Sequence, residues 1–179
     1  MILGLDVSTS ITGATILDKK GNIVLCQAWD LRNKKNYKDV IDKAEAMKSN
    51  LLDVCLKHDI KEIYIEKPFM FFNSGGSSAK TMSILQNFNG IVSWLVFQQF
   101  GVKPKYLTAS EARKLCGIKV PKGTKAKEKV IEFVLDTVPD FGVEYTKFGN
   151  PRPGEADRAD SWVIAKAGLN EWKEKSSKS

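Results

Sequence analysis

The first third of the chain carries short apolar runs separated by polar turns. Apolar runs at residues 2–7, 14–18 and 23–29 predict three strands. Residues 8–13 (STSITG) predict a turn after the first strand, and Lys20-Gly21-Asn22 supplies turn chemistry before the third. Three short strands joined by such brief connections indicate an antiparallel meander.

Helical spacing of apolar residues then alternates with two further short strands. Residues 37–58 and 80–100 place apolar side chains at i, i+3, i+4 and i+7, which predicts two long amphipathic helices. Residues 62–66 (EIYIE) and 103–107 (KPKYL) predict strands. Strands first, followed by helices alternating with strands, favour one mixed α/β sheet covered by helices.

The remaining chain is predicted to be helical, with one long interruption. Thr108 is a predicted N-cap, and Glu111 completes a capping box. The lysine-rich residues 119–129 lead into another helix, and residues 155–172 form the last one. Between them, residues 138–154 are a loop punctuated by proline and glycine, of a length that is often functional in compact domains.

The length and composition predict one folded domain. A chain of 179 residues suits a single domain over residues 1–172, with residues 173–179 as a flexible basic tail. A hydrophobic share of 42% is too high for a disordered chain. No apolar run approaches the roughly 18 residues of a membrane span, and the N-terminus lacks the features of a signal peptide.

Charge and reactive residues restrict the chemistry. The formal net charge of +7 favours an anionic partner, nucleic acid first and a membrane surface second. Three widely spaced cysteines, Cys26, Cys55 and Cys116, argue against a disulfide framework and predict a reducing, cytoplasmic location. Because His58 is the single histidine, metal chemistry would depend on carboxylates, which favour Mg²⁺ or Mn²⁺.

Two carboxylates stand in unusual places on predicted strands. Asp6 lies inside the first apolar strand, where an unpaired carboxylate is costly and needs a partner such as a metal ion. Alternatively, Asp6 caps the following turn through the amides of Ser8 or Thr9. Glu66 ends a strand, and strand ends are where sites gather in α/β sheets. The alternative for Glu66 is an ion pair with Lys67.

A second pair of carboxylates begins the last helix. Asp157 and Asp160 are three residues apart and therefore share a face. The helix dipole accounts for Glu155 and Asp157, but its effect fades before Asp160. Together with Asp6 and Glu66, the pair can hold two Mg²⁺ ions about 3.5–4 Å apart, the arrangement used for in-line phosphodiester hydrolysis.

Three segments make the sequence similar to a known family. LGLDVSTSITG around Asp6, YIEKPFMFFN around Glu66 and EADRADSWVIA around Asp157 and Asp160 resemble the RuvC-like Holliday junction resolvases of the RNase H-like superfamily. The resemblance implies an RNase H-like fold, with five strands in a mixed sheet whose first three are antiparallel. It also implies that Asp6, Glu66, Asp157 and Asp160 are catalytic and bind Mg²⁺. A homodimer would then nick two strands of a four-way DNA junction symmetrically.

The resemblance also implies residues for DNA contact and for dimerisation. Phe69 matches an aromatic that stacks on bases at the junction centre, and the alternative is core packing. The lysine-rich segment is a plausible phosphate track, or a solvated charged face. The helix at 80–100 matches the dimer interface, or faces the core. The candidate DNA-binding residues are Phe69, Lys114, Lys122, Lys125 and Lys127.

The sequence departs from the family pattern in two places. The loop 138–154 is longer than usual, and Pro68 fixes the backbone between Glu66 and Phe69. Both bear on the substrate preference more than on the chemistry. The compact chain suggests a phage or viral branch, with the host-cell cytoplasm as its location.

Other functions compete with a junction endonuclease that leaves 5′-phosphate and 3′-hydroxyl ends. A nuclease of the same fold could prefer other branched DNA or RNA–DNA hybrids. An inactive protein could retain junction binding alone, although all four acids are present. The motif Asp-x-Ser-Thr-Ser also resembles the phosphate loop of actin-like ATPases and sugar kinases, but those are longer, duplicated proteins, and this chain has no second copy of the motif.

Overall fold

Within the described residues, the fold is a sheet of five strands flanked by five helices. The computed structural model describes residues 1–68 and 79–176. The strands are β1 (Ile2–Asp6), β2 (Ile11–Leu17), β3 (Ile23–Asp30), β4 (Glu62–Glu66) and β5 (Lys105–Leu107). The helices are α1 (Val40–Lys57), α2 (Ala79–Phe100), α3 (Ala109–Leu115), α4 (Ala126–Thr137) and α5 (Glu155–Ser176).

The strand order is β3-β2-β1-β4-β5. β1, β2 and β3 are antiparallel neighbours, whereas β4 is parallel to β1 and β5 is parallel to β4. The Asp18 carboxylate closes the β2–β3 turn by accepting hydrogen bonds from the amides of Lys20, Gly21 and Asn22. The predicted antiparallel meander and five-stranded mixed sheet are therefore confirmed.

The predicted turn at residues 8–13 is too long. β2 begins at Ile11, where Ile11 pairs with Asp30 and Thr12 pairs with Trp29 of β3. The polar side chain of Thr12 favours a turn in the sequence. In the structure its hydroxyl donates a hydrogen bond to the Ser8 carbonyl oxygen, while its backbone belongs to the strand. The predicted strand at 103–107 is also shorter and starts at Lys105.

Alternation along β1 divides the core into two layers. Leu3 and Leu5 point to one face and pack with α1 and α2, whereas Ile2 points to the other face and packs with α5. Two of the helices begin at a residue whose side chain caps them. Asp39 caps α1, and Thr108 and Glu111 form the predicted capping box of α3.

The last three helices, α3, α4 and α5, cover the face of the sheet opposite α1 and α2. α5 lies against β1 and β2, and α3 and α4 pack against α5. α5 continues to Ser176, so residues 173–176 are helical. Across residues 1–68 and 79–176, no helix is both long and apolar enough to pass through a membrane.

Candidate active site

Two of the predicted acids lie at the same edge of the sheet. Asp6 is the last residue of β1 and Glu66 is the last residue of β4. These strands are parallel neighbours, with Leu5 paired to Ile65, so their carboxyl ends lie side by side. The buried Asn89 of α2 donates a hydrogen bond to the Glu66 carbonyl oxygen, 3.1 Å away, and holds the end of β4.

A glycine lets the start of α5 approach this edge. Gly13 of β2 is paired with Asp6, and a Cβ on Gly13 would overlap the Asp157 carbonyl. The Ser161 hydroxyl lies 2.8 Å from the Thr15 hydroxyl of β2, which fixes the next turn of α5 on the sheet. The absence of a side chain at position 13 therefore places the first turn of α5 against the end of β1.

The four acids are close enough to perturb one another. Burial raises the pKa of Asp6 well above its usual range, and the charges of Glu66, Asp160 and Asp157 raise it further. Burial, aided by the Asp160 charge, raises the pKa of Glu66 to about 7. Burial also raises the pKa of Asp160 to about 6, with a contribution from Asp157. The pKa of Asp157 is raised by burial as well. The four residues form one electrostatic cluster, termed the acidic cluster below.

Three cations in the described part of the chain partly compensate this negative charge, and the charge of Arg32 lowers the pKa of Asp157. The Lys127 ammonium lies 4.0 Å from a carboxylate oxygen of Asp160, and its charge opposes the rise in pKa of every member of the acidic cluster. The Arg113 guanidinium lowers the pKa of Glu66 and of Asp160. Since the pKa values of all four acids nevertheless remain raised, the cluster favours additional positive charge.

The donor set suits a hard divalent cation. The acidic cluster offers carboxylate oxygens, the ligands that Mg²⁺ and Mn²⁺ prefer. Within the described parts of the chain, however, no group of three or more Asp, Glu, His or Cys side chains is arranged as a ready-made metal site.

The predicted DNA-binding lysines differ in their relation to the acidic cluster. Lys127 adjoins it, whereas Lys125 pairs with Glu128 at 2.9 Å on the surface of α4. Lys114 and Lys122 are exposed. Phe69 lies outside the described residues.

Arg113 was missed by the sequence analysis, which selected its neighbour Lys114. Both are basic, and only the orientation of α3 separates them. Arg113 is partly buried and acts electrostatically on Glu66 and Asp160, while Lys114 is exposed at the end of the helix. The buried Ala112 preceding Arg113 was the available signal, because it marks the side of α3 that faces the core.

Comparison with known proteins identifies the fold. No protein-family model and no curated protein sequence matches the chain. The solved structures give full-length matches, and they define a RuvC-type RNase H-like fold with a five-stranded mixed sheet.

Three of the matched structures are two of RuvC and one of a Holliday junction resolvase. Thermus thermophilus RuvC in complex with a Holliday junction substrate is 11% identical, with a TM-score of 0.66, and the match covers 97% of this chain and 94% of RuvC. A second Thermus thermophilus RuvC structure is 13% identical, with a TM-score of 0.63 and coverage of 97% and 96%. The yeast mitochondrial Holliday junction resolvase Ydc2 is 14% identical, with a TM-score of 0.58 and coverage of 94% and 77%. The RuvC-like fold expected from the three sequence motifs is thus confirmed.

Proposed function

We propose that the protein is a divalent-metal-dependent endonuclease that resolves four-way DNA junctions by paired, symmetric nicks. The observation that carries the proposal is the acidic cluster, in which four carboxylates from β1, β4 and α5 interact on a RuvC-like fold. The net charge of +7 supports a nucleic-acid substrate. The resolvase activity named for the structural neighbours supports a branched one.

In this proposal Asp6, Glu66, Asp157 and Asp160 hold Mg²⁺ or Mn²⁺, with two ions per site. When bound, such ions activate water for in-line attack and stabilise the leaving 3′-oxygen, which yields 5′-phosphate and 3′-hydroxyl ends. The chain's own contribution is to collect the anionic ligands at one sheet edge and to exclude solvent around them.

Basic side chains then position the DNA backbone. Lys127 and Arg113 interact with the acidic cluster, which supports a role for both in contacting a phosphate bound beside it. Lys114, Lys122 and Lys125 extend the basic surface along α3, the following loop and α4.

A homodimer through α2 would supply the second active site for a paired nick. α2 has apolar residues on two faces. Phe88 and Val92 are buried in the core, while Trp94 and Phe97, three residues apart on another side of the helix, are exposed. Trp94 is 60% exposed, a large apolar surface for a monomer to leave in water. This second face supports the dimer, in which Phe69 remains the proposed base-stacking residue at the junction centre.

Cleavage of synthetic junctions tests the proposal. The protein is incubated with end-labelled four-way junction, flap, fork, duplex and RNA–DNA hybrid, each with Mg²⁺, Mn²⁺ or EDTA. We expect junction cleavage with either metal, none with EDTA, and none from Asp6→Asn, which should still bind the junction because phosphate contacts supply much of the affinity.

The matched control is Asp136→Asn, which changes an exposed acid at the end of α4. This variant should cleave like the unaltered protein. Full activity of Asp6→Asn would refute the assignment of the acidic cluster. A preference for flaps or hybrids over the four-way junction would refute the assignment of the four-way junction as the substrate.

A further inference from the structure

Part of the loop 138–154 folds into a β-hairpin. The Thr146 amide donates to the Asn150 carbonyl oxygen and the Arg152 amide donates to the Glu144 carbonyl oxygen, each at 2.8 Å. Tyr145 and Pro151 form a β-bridge between these two bonds. The segment 144–152 is termed the 144–152 hairpin below.

The tip of the hairpin presents an aromatic ring and a cation together. Phe148 is 79% exposed, the highest exposure among the large apolar side chains of the described chain. The Lys147 ammonium lies 5.0 Å from the centroid of the Phe148 ring. Within residues 1–68 and 79–176 Lys147 makes no salt bridge, whereas Arg152 at the base of the hairpin pairs with Glu144 at 2.9 Å.

The base of the hairpin is fixed to the helix that carries two of the acids. Before the hairpin, Phe141 is buried, and the Arg158 guanidinium lies over its ring at 4.8 Å. Arg158 also donates hydrogen bonds to the Gly142 carbonyl oxygen at 3.2 Å and to the Glu155 carboxylate at 2.7 Å. The hairpin is therefore held on the first turn of α5.

The other end of the hairpin is packed against the sheet. Gly154 has a φ of +99°, which favours glycine, and a Cβ there would lie 2.9 Å from the Ala28 Cβ of β3. Glu155, the next residue, begins α5, and Asp157 and Asp160 follow within that helix. Both ends of the hairpin are therefore packed against the rest of the protein, while its tip is exposed. In the sequence, the hairpin precedes the two members of the acidic cluster on α5.

We infer that the 144–152 hairpin is a second DNA-contacting element, in which Phe148 stacks on an exposed base and Lys147 contacts a neighbouring phosphate. The inference rests on the proposed nuclease function. A nucleotide offers an aromatic face beside an anion, which matches the ring and ammonium at the tip. Branched DNA exposes such base faces where its arms meet. Since the hairpin is joined to α5, this contact would position the strand relative to Asp157 and Asp160.

Binding and cleavage of a four-way junction by tip variants test the inference. Binding is measured in the Asp6→Asn background and cleavage in the otherwise unaltered protein. Phe148→Ala should weaken binding roughly 5- to 150-fold, the range for loss of one stacked base, and Phe148→Trp should restore it. Lys147→Ala should lower the slope of log affinity against log salt by about one.

A matched control separates stacking from loss of any exposed apolar group. Leu56 of α1 is 77% exposed, and Leu56→Ala should leave binding and cleavage unchanged. Thermal unfolding of Phe148→Ala, Lys147→Ala and Leu56→Ala should match that of their parent proteins, because these three side chains lie mainly in solvent.

The outcomes distinguish this inference from the nuclease proposal. Unchanged affinity and unchanged cleavage positions in Phe148→Ala would overturn the role of the hairpin, while continued cleavage would leave the nuclease proposal standing. A change of oligomeric state with unaltered junction affinity would assign the tip to a protein contact and would also overturn the inference. Failure of the unaltered protein to bind any junction would overturn both.

Discussion

Replacing Glu66 by glutamine should stabilise the metal-free protein at neutral and alkaline pH. Glu66 is partly buried, and the surrounding protein together with the Asp160 charge raises its pKa from 4.5 to about 7. A raised pKa means that ionising the group costs more in the folded state than in the unfolded state. Glutamine has nearly the same shape and does not ionise, so Glu66→Gln removes that cost.

The size of the effect follows from the pKa values. Each pKa unit corresponds to about 1.4 kcal/mol, so a rise from 4.5 to about 7 costs roughly 3 kcal/mol of folding free energy above pH 7. Below about pH 4 the carboxyl group is protonated in both states, and the cost disappears. The penalty therefore grows as the pH rises through the interval between the two pKa values.

Thermal and urea unfolding of both proteins in EDTA, at pH 4, 6 and 8, measure this difference. At pH 8 we expect Glu66→Gln to gain roughly 3 kcal/mol, which is on the order of 5–10 °C in Tm for a chain of this size. At pH 4 the two proteins should unfold alike. Adding Mg²⁺ should raise the Tm of the unaltered protein more than that of Glu66→Gln, because binding to the folded state stabilises it.

The control is Glu45→Gln, the same chemical change at an exposed position of α1. Its stability should follow that of the unaltered protein within about 0.5 kcal/mol at each pH. The reasoning is refuted if Glu66→Gln is no more stable than the unaltered protein at pH 8. A gain in stability that is equal at pH 4 and pH 8 would refute it as well.

Three further predictions concern the placement of the site and its partners. Gly13→Ala should lower junction cleavage at least tenfold and reduce the free energy of unfolding in urea by about 1–3 kcal/mol, because the new methyl group displaces the start of α5. Cleavage at the normal rate would contradict this prediction. Arg113→Ala should reduce the cleavage rate more than Lys114→Ala does in single-turnover assays, and the reverse order would place Lys114 at the scissile phosphate. Trp94→Glu should convert the proposed dimer to a monomer, as measured by light scattering, whereas the control Leu56→Glu on α1 should not. A dimer that persists in Trp94→Glu would exclude this face of α2 as the dimer interface.

Much of the fold could be predicted because its signals are local. Leu3 and Leu5 alternate with residues of the opposite face, Thr108 and Glu111 form a capping box, and each pattern determines the backbone over a few residues. The start of β2 lacked such a local signal. Ile11 depends on pairing with Asp30, a partner distant in the sequence.

The acidic residues of the site could be identified from the sequence, whereas the basic residues near them could be identified only in part. A carboxylate such as Asp6 inside an apolar strand is conspicuous, because burial of a charge is costly and demands an explanation. Basic residues are abundant on this surface, so choosing between Arg113 and Lys114 requires the rotation of α3 about its axis. The 144–152 hairpin was equally hidden, because its hydrogen bonds join residues that show no strand-like alternation.

In the proposed homodimer, the hydrogen bond from Asn89 to the end of β4 would connect subunit association with the acidic cluster. Asn89 belongs to the same helix as Trp94, so in a dimer paired through α2 the outer side of that helix would contact the second subunit while its inner side secures the backbone of Glu66. If dissociation of that dimer shifted α2, the end of β4 would move with Asn89 and displace Glu66 within the acidic cluster. In the proposed endonuclease, separated subunits would then cut less, which would limit unpaired nicks.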